Sequence, residues 1–363
     1  MISKEYTFYS KRLYDFDEDY GDKKILYFDI ETTGFSRENN HIYLIGAAYK
    51  NADGSFNIIQ WFDDTGKDEI KILLLFREFL KNFDVVADYN GNSFDIPFVI
   101  QRGLKYGINF NFDKYEMFDL YKKIRPYKKL FKTLSLKQKQ IEIFLDIDRD
   151  DKFDGGQLIE MYNEYISIKE ASEYKESILN FLLLHNHDDM EGLVNICDIL
   201  VYSNILEKKF EYNCYEIIDD NLIITAISPH RFKTPVFTFN RNFKYQLNGN
   251  KIKILLEIKK LTLKYFFENY KDYYYLPDED LAIHKSVASF VDSSHKIKAK
   301  KDNCYTKKES FFCYQPGKIL TPSFCESLKT KCYFFEATDS ILDNYTNEDF
   351  NNLIFQILKE GCM

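Results

Sequence analysis

Two carboxylates lie two residues apart at Asp29-Ile30-Glu31, directly after the apolar run Ile25-Leu26-Tyr27-Phe28. Successive side chains of a strand alternate, so Asp29 and Glu31 share one face at its end. Their mutual repulsion costs stability, and a bound cation relieves it. Alone, such a pair is usually two solvated surface acids, because short motifs are only hypotheses. A third acid, Asp95, lies in Asn90-Gly91-Asn92-Ser93-Phe94-Asp95-Ile96-Pro97, which follows a strand and opens a helix. Asp at that place is also a favoured helix cap, and the two roles are compatible. A fourth, Asp189, closes His185-Asn186-His187-Asp188-Asp189. His185 and Asp189 are at i and i+4 and share a helix face. Asp188 is the rival, but lies about 100° away around the helix. Oxygen-rich donors of this kind suit Mg²⁺ or Mn²⁺.

The elements that must position these residues follow from apolar patterning. Residues 25–28, 42–49, 56–62 and 85–89 read as strands. The first three have short connections, one through Asn51-Ala52-Asp53-Gly54, and suggest an antiparallel meander. Residues 68–82 have helical periodicity. A helix is expected from about 94 to 105, and the last of several later helices from about 178 to 203. Residues 1–23 are polar and charged and read as a lead-in. The fold class expected is α/β for 24–204, a mixed sheet flanked by helices, with a C-terminal α+β domain over 205–363. In that second part, 221–226, 236–239, 243–247 and 252–258 read as strands, with Asn248-Gly249-Asn250 as a hairpin turn. Helices are expected at 262–270, 280–291 and 347–359, and Asp278-Glu279-Asp280 as acids complementing a helix dipole.

Bulk properties exclude little. The 363 residues carry a formal charge of -8, which argues against coating duplex nucleic acid by positive charge but not against an enzyme with an acidic site. The 28 Tyr and 33 Phe accompany abundant Lys, Ile and Asn, a coding bias rather than a binding code. No apolar N-terminal run or membrane-length stretch is apparent, and the seven cysteines form no C-x-x-C pair; a cytoplasmic protein with reduced thiols is expected. Cys304, Cys313, Cys325 and Cys332 lack zinc-finger spacing.

Taken in order, the strand D-x-E, the N-x-x-x-F-D before a helix and the H-N-x-x-D on a later helix resemble the three exonuclease motifs of the DEDD superfamily. The segment is most similar to its ribonuclease-H-like group whose third motif is H-N-x-x-D. Phe28-Asp29-Ile30-Glu31-Thr32-Thr33-Gly34-Phe35, Ile42-Tyr43-Leu44-Ile45-Gly46, Thr133-Leu134-Ser135-Leu136-Lys137 and Asp154-Gly155-Gly156 before Tyr162 carry the resemblance over roughly 24–203. The histidine spacing departs from the branch with H-x-x-x-x-D: here His185 stands where the other branch has Tyr.

The resemblance implies 3′–5′ exonucleolytic hydrolysis of single-stranded DNA or RNA with two Mg²⁺ or Mn²⁺ about 3.5–4 Å apart. It implies that Asp29 bridges both ions, Glu31 and Asp189 hold one, and Asp95 helps position the other. His185 is the implied general base. Thr32, Thr33, Asn90, Phe94 and Lys137 are the implied substrate contacts. Residues 122–139 interleave lysines with Tyr127 and Phe131, which suits a single strand or simply a solvated surface. A non-cleaving nucleic-acid-binding protein and a ribonuclease-H-type endonuclease are the alternatives.

Overall fold

The computed structural model describes residues 1–149 and 155–362. Asp154, which opens the Asp154-Gly155-Gly156 stretch, lies outside the described residues. Contacts divide the chain into two units, Met1–Ser203 and Asn204–Met363.

The first unit is built on strands β1 (Ile2–Phe8), β2 (Ile25–Thr32), β3 (Ile42–Lys50) and β4 (Phe56–Phe62), helix α1 (Glu69–Leu80), strand β5 (Val85–Asp88), helix α2 (Asp95–Lys105) and strand β6 (Glu116–Asp119). Helices α3 (Leu120–Ile124), α4 (Lys128–Phe131), α5 (Gln138–Phe144), α6 (Gly155–Ser167), α7 (Glu173–Asn195) and α8 (Leu200–Asn204) complete it. The sheet order is β1-β4-β3-β2-β5-β6. β2, β3 and β4 form the expected antiparallel meander, while β5 and β6 run parallel to β2. Such a mixed sheet with helices on both faces is the expected α/β class.

One correction concerns residues 1–23. Residues 2–8 are an edge strand, Ile2 opposite Phe62 through Phe8 opposite Phe56. Most of β1 is exposed, so it lacks the apolar run that marks a strand. A second concerns the last helix. α7 starts at Glu173, where the Ser172 side chain accepts from the Lys175 N–H and Glu173 and Glu176 face the helix dipole. It passes into a 3₁₀ turn over Ile196–Ile199 before α8.

Strand alternation sorts the core. Leu26, Phe28 and Ile30 pack with Ile72, Phe76, Phe98 and Val99 on the α1–α2 side. Asp29 and Glu31 therefore face the side covered by α6 and α7, where Tyr43, Leu44 and Phe62 meet Leu158, Tyr162, Ile178 and Leu182. The buried pair Arg102–Glu69, 2.5 Å apart, ties α2 to α1, and Glu69 also accepts the Ile42 N–H at the head of β3.

The second unit is mainly β. Strands β7 (Glu211–Ile218), β8 (Asn221–Phe239) and β9 (Lys244–Glu257) form one sheet. β10 (Lys259–Phe266), β11 (Tyr273–Leu276), β12 (Leu281–His284), helix α9 (Lys285–Ala288), β13 (Ile297–Lys298), β14 (Tyr305–Gln315), β15 (Tyr333–Glu336) and helices α10 (Asp339–Leu342) and α11 (Asn347–Cys362) follow. The helix expected at 347–359 is present. The one at 262–270 is instead β10, because Leu261, Leu263 and Tyr265 alternate onto one cluster. The span 280–291 is β12 plus the single turn α9. Asp280 lies in the β11–β12 turn at φ 50°, and its carboxylate accepts from Tyr275 and Tyr305 hydroxyls rather than facing a helix dipole. Asn248-Gly249-Asn250 is not a hairpin: it lies inside β9, where Gly249 opposite Phe232 marks a register shift. The turn from β7 to β8 is made by Asp219 and Asp220, both at positive φ. All seven cysteines are free.

Candidate metal centre

β2 delivers Asp29 and Glu31, α2 delivers Asp95, and α7 delivers His185, Asn186 and Asp189. Glu31, His185 and Asp189 have ligand atoms all within 4.8 Å of one another. His185 Nε2 lies 3.3 Å from Glu31 Oε1 and 3.0 Å from Asp189 Oδ2. Asp29 joins through Asn186, whose Nδ2 donates to Asp29 Oδ2 at 3.3 Å. Asp95 is the first residue of α2 and makes no side-chain cap. Its Oδ1 instead accepts the Ile30 N–H at 3.2 Å, crossing to the strand between the two acids of D-x-E. Asp188 turns toward His187, 3.6 Å away.

The electrostatics report an acid-rich site. Burial, then the charges of Asp95, Asp189 and Glu31, push the Asp29 carboxyl well above the ordinary range. Burial raises Asp95 to about 7, although the Ile30 N–H pulls the other way. Burial opposes charge on His185, but Asp189 and Glu31 outweigh it and hold the imidazole protonated up to about 11. Asp189, despite its burial, is kept below the usual carboxylate range by His185 and Arg149.

Several residues that set this geometry were not singled out as site residues from sequence. Asn186 is fully buried, and its Oδ1 accepts from Gln60 Nε2 at 2.9 Å. Opposite Asp29 in register stands Gly46, where a Cβ would come 2.2 Å from Asn186 Oδ1. Glycine is thus required for α7 to approach β3. On the far side of Asp189, Arg149 Nη1 reaches its Oδ1 at 2.7 Å and the buried Glu142 at 3.1 Å. Glu142 fills the notch at Gly192, where a Cβ would meet its Oε1 at 2.2 Å. Gln138 Nε2 donates both to Glu142 and to the Asp189 carbonyl, each at 2.9 Å. The i+3 glycine after Asp189 was the available signal, but its partner is about 50 residues away in sequence.

The implied substrate contacts fall in different settings. Thr32 is buried and its hydroxyl donates to the Gly34 carbonyl; Thr33 accepts the His41 N–H. Both hydroxyls thus hold the turn after β2. Phe94 packs edge-on to Phe35, 6.2 Å away, and Phe35 is 87% exposed beside the acids' strand. Asn90 sits at φ 68° with its N–H on Asp119. Asp88, paired with Asp119 at the ends of β5 and β6, accepts the Gly91 N–H and folds this loop. Lys137 and Asn90 line one cavity together.

Among the described residues, a second acidic group, Asp63, Asp64 and Asp68, also gathers closely. Asp63 accepts the N–H groups of Thr65, Gly66, Lys67 and Asp68, and Lys71 pairs with Asp68, so this group serves as a loop support. No helix among the described residues is long and apolar enough to cross a membrane.

No curated protein matches the chain. Among solved structures, the family B DNA polymerase from the hyperthermophilic archaeon Pyrobaculum calidifontis is similar at 18% identity over 51% of this chain, with a TM-score of 0.38. The match spans 25% of that polymerase, and a likeness of this size says nothing about activity. Residues 26–201 match the family model described as RNase_H superfamily, so this segment is a ribonuclease-H-like superfamily domain.

Proposed function

We propose that the first unit is a divalent-metal-dependent nuclease, acting as a 3′–5′ exonuclease on single-stranded DNA or RNA by a two-metal route with Mg²⁺ or Mn²⁺. The observation that carries this is the convergence of Glu31 and Asp189, from β2 and α7, within 4.8 Å around His185, with Asp29 and Asp95 held alongside.

The residues fit such ions. Asp29 is a half-buried carboxyl whose neighbours are largely acidic, the situation a divalent cation relieves. Asp29, Glu31, Asp95 and Asp189 would hold the ions, and the donors are hard oxygens suited to Mg²⁺ or Mn²⁺. When bound, such ions stabilise the attacking and leaving oxygens of phosphodiester hydrolysis. Asn186 holds Asp29 in place, and the Ile30 N–H fixes one Asp95 oxygen. His185 can move a proton at Nε2, but while Glu31 and Asp189 both contact that nitrogen it stays an acid rather than a base. Engaging those carboxylates elsewhere lowers the His185 pKa toward working pH. Exposed Phe35, with Phe94 beside it, offers an aromatic surface for a base.

One observation favours the non-cleaving alternative. His185 and Arg149 already neutralise Glu31 and Asp189, so that part of the cluster is satisfied without a metal. A single assay separates the two. The protein is incubated with 5′-labelled single-stranded DNA or RNA with Mg²⁺, Mn²⁺ or chelator. A metal-dependent ladder abolished by Asp29→Asn is expected. Scattered internal cuts would indicate an endonuclease, and an intact label with a gel shift would leave only binding.

A further inference from the structure

Beside the acids, at the end of the sheet where β5 gives way to Asn90, the first unit has a cavity of about 630 Å³. Tyr89, Asn90, Tyr121, Arg125, Lys128 and Lys137 line it, and no carboxylate does. Among the described residues, none of these three cations has an acidic partner. Three cations without acidic partners around one cavity suit a bound anion.

The cavity has a formed wall. The Tyr89 hydroxyl donates to the Leu136 carbonyl at 2.6 Å and holds the segment before α5 against the end of β5. Tyr121 lies edge-on to Tyr89, 5.9 Å between ring centres, and is half-buried. Gln138, whose side chain donates to the Asp189 carbonyl, also lines it. One hydrogen bond therefore links the cavity lining to the helix bearing Asp189.

We propose that this cavity is a strand-holding site, distinct from the acid cluster, that takes a single-stranded nucleic acid. Arg125, Lys128 and Lys137 receive backbone phosphate, and the tyrosines give a base an apolar ring surface. Unpaired cations interleaved with aromatics fit a polyanion carrying flat rings. The cavity's volume lies in the range of small-molecule sites, so it accommodates a nucleotide unit and not a duplex. The proposal rests on the nuclease reading for what lies next door, but its own test needs no cleavage. It implies that affinity in chelator rises with length until the strand spans the three cations, and that a free mononucleotide, with a single phosphate, competes poorly.

The test is fluorescence anisotropy on the full chain, in chelator, with labelled DNA and RNA oligonucleotides of increasing length and a range of salt. Arg125→Ala/Lys128→Ala/Lys137→Ala should weaken binding at least ~10-fold and reduce the salt slope by about 2, at ~0.7 per phosphate contact on a single strand. Tyr121→Ala should weaken it by ~5-fold or more, the low end of one lost base stack. Lys298→Ala/Lys300→Ala/Lys301→Ala, exposed lysines of the second unit, is the control for general charge. Photo-crosslinking with 5-iodouridine strands, read by mass spectrometry, should label Tyr89 or Tyr121 in the unaltered protein. The proposal is overturned if the first triple variant keeps wild-type affinity and salt slope, if the control weakens binding as much, if crosslinks fall elsewhere, or if duplex or mononucleotide binds as well. Adding Mg²⁺ to the same samples separates the two ideas. Strand binding through the cavity without cleavage would sink the nuclease reading alone, and cleavage unaffected by the triple variant would sink the cavity alone.

Discussion

Replacing Gly46 by alanine should loosen the whole centre through a single methyl group. The new Cβ would lie 2.2 Å from Asn186 Oδ1 and 2.8 Å from its Cγ and Nδ2, too close for any side chain to tolerate. Asn186 is fully buried between Asp29 and Gln60, so it has no open space to enter. Overpacking of this kind costs about 1–3 kcal/mol. If Asn186 gives up its hydrogen bonds, the buried polar groups left behind cost about 1–3 kcal/mol more. A total on the order of 2–6 kcal/mol lowers the melting temperature of a unit this size by about 4–24 °C. In an Asn186→Ala background the obstructing atoms are gone, and Gly46→Ala should then cost less than about 0.5 kcal/mol. Thermal and urea melts of the four proteins in the cycle give the coupling directly, expected near 2 kcal/mol. Additive effects, with Gly46→Ala as costly in both backgrounds, would refute the claim that this glycine exists to admit Asn186.

Three further outcomes follow from the charges. His185 is held protonated to about 11, above the histidine reference near 6.5, so its stabilising contribution in chelator is complete below pH ~6.5 and declines as pH climbs toward 11; NMR of the ring protons should show that midpoint, and Mg²⁺ should bring it down. Asp95 has the opposite chemistry but the same sign. Its carboxyl is raised to about 7, so the folded form favours the proton, and metal-free stability should fall between pH ~4 and 7 by up to about 4 kcal/mol, at ~1.4 kcal/mol per unit. Asp95→Asn should flatten that fall in pH-dependent melts. Arg149→Gln should cost about 1–3 kcal/mol in chelator, since Glu142 and Asp189 lose a charged partner, yet tighten Mn²⁺ binding by freeing Asp189 Oδ1; weaker Mn²⁺ binding would count against Arg149 as a competitor for that oxygen.

Much of this site could be read from sequence because its signals are local. Alternation put Asp29 and Glu31 on one face, and Ile30 does face the other core. Helical spacing placed His185 over Asp189, and their side chains meet at 3.0 Å. What stayed hidden depends on partners distant in the chain. Gly46 has meaning only beside Asn186, and Gly192 only beside Glu142. Arg149 follows α5 with no feature that marks it as Asp189's neighbour. Asp95 looked like a helix cap because its residue type suits one, while its actual acceptor duty is to Ile30 across the sheet. In the second unit, the apolar residues of 261–265 fit two periods, and strand pairing with β14 decided between them. The first strand is hard to read for a related reason: its one sheltered face carries only Ile2, Tyr6 and Phe8, broken by the exposed Lys4, and its other face is exposed.

The claim that matters most is that these acids bind cations, and calorimetric titration of Mn²⁺ into metal-stripped protein tests it without any assumption about substrate. Two ions per chain are expected, with protons released as His185, Asp29 and Asp95 lose theirs, and with binding lost in Asp29→Asn and Asp189→Asn. No heat of binding, or the same binding in both variants, would contradict the account.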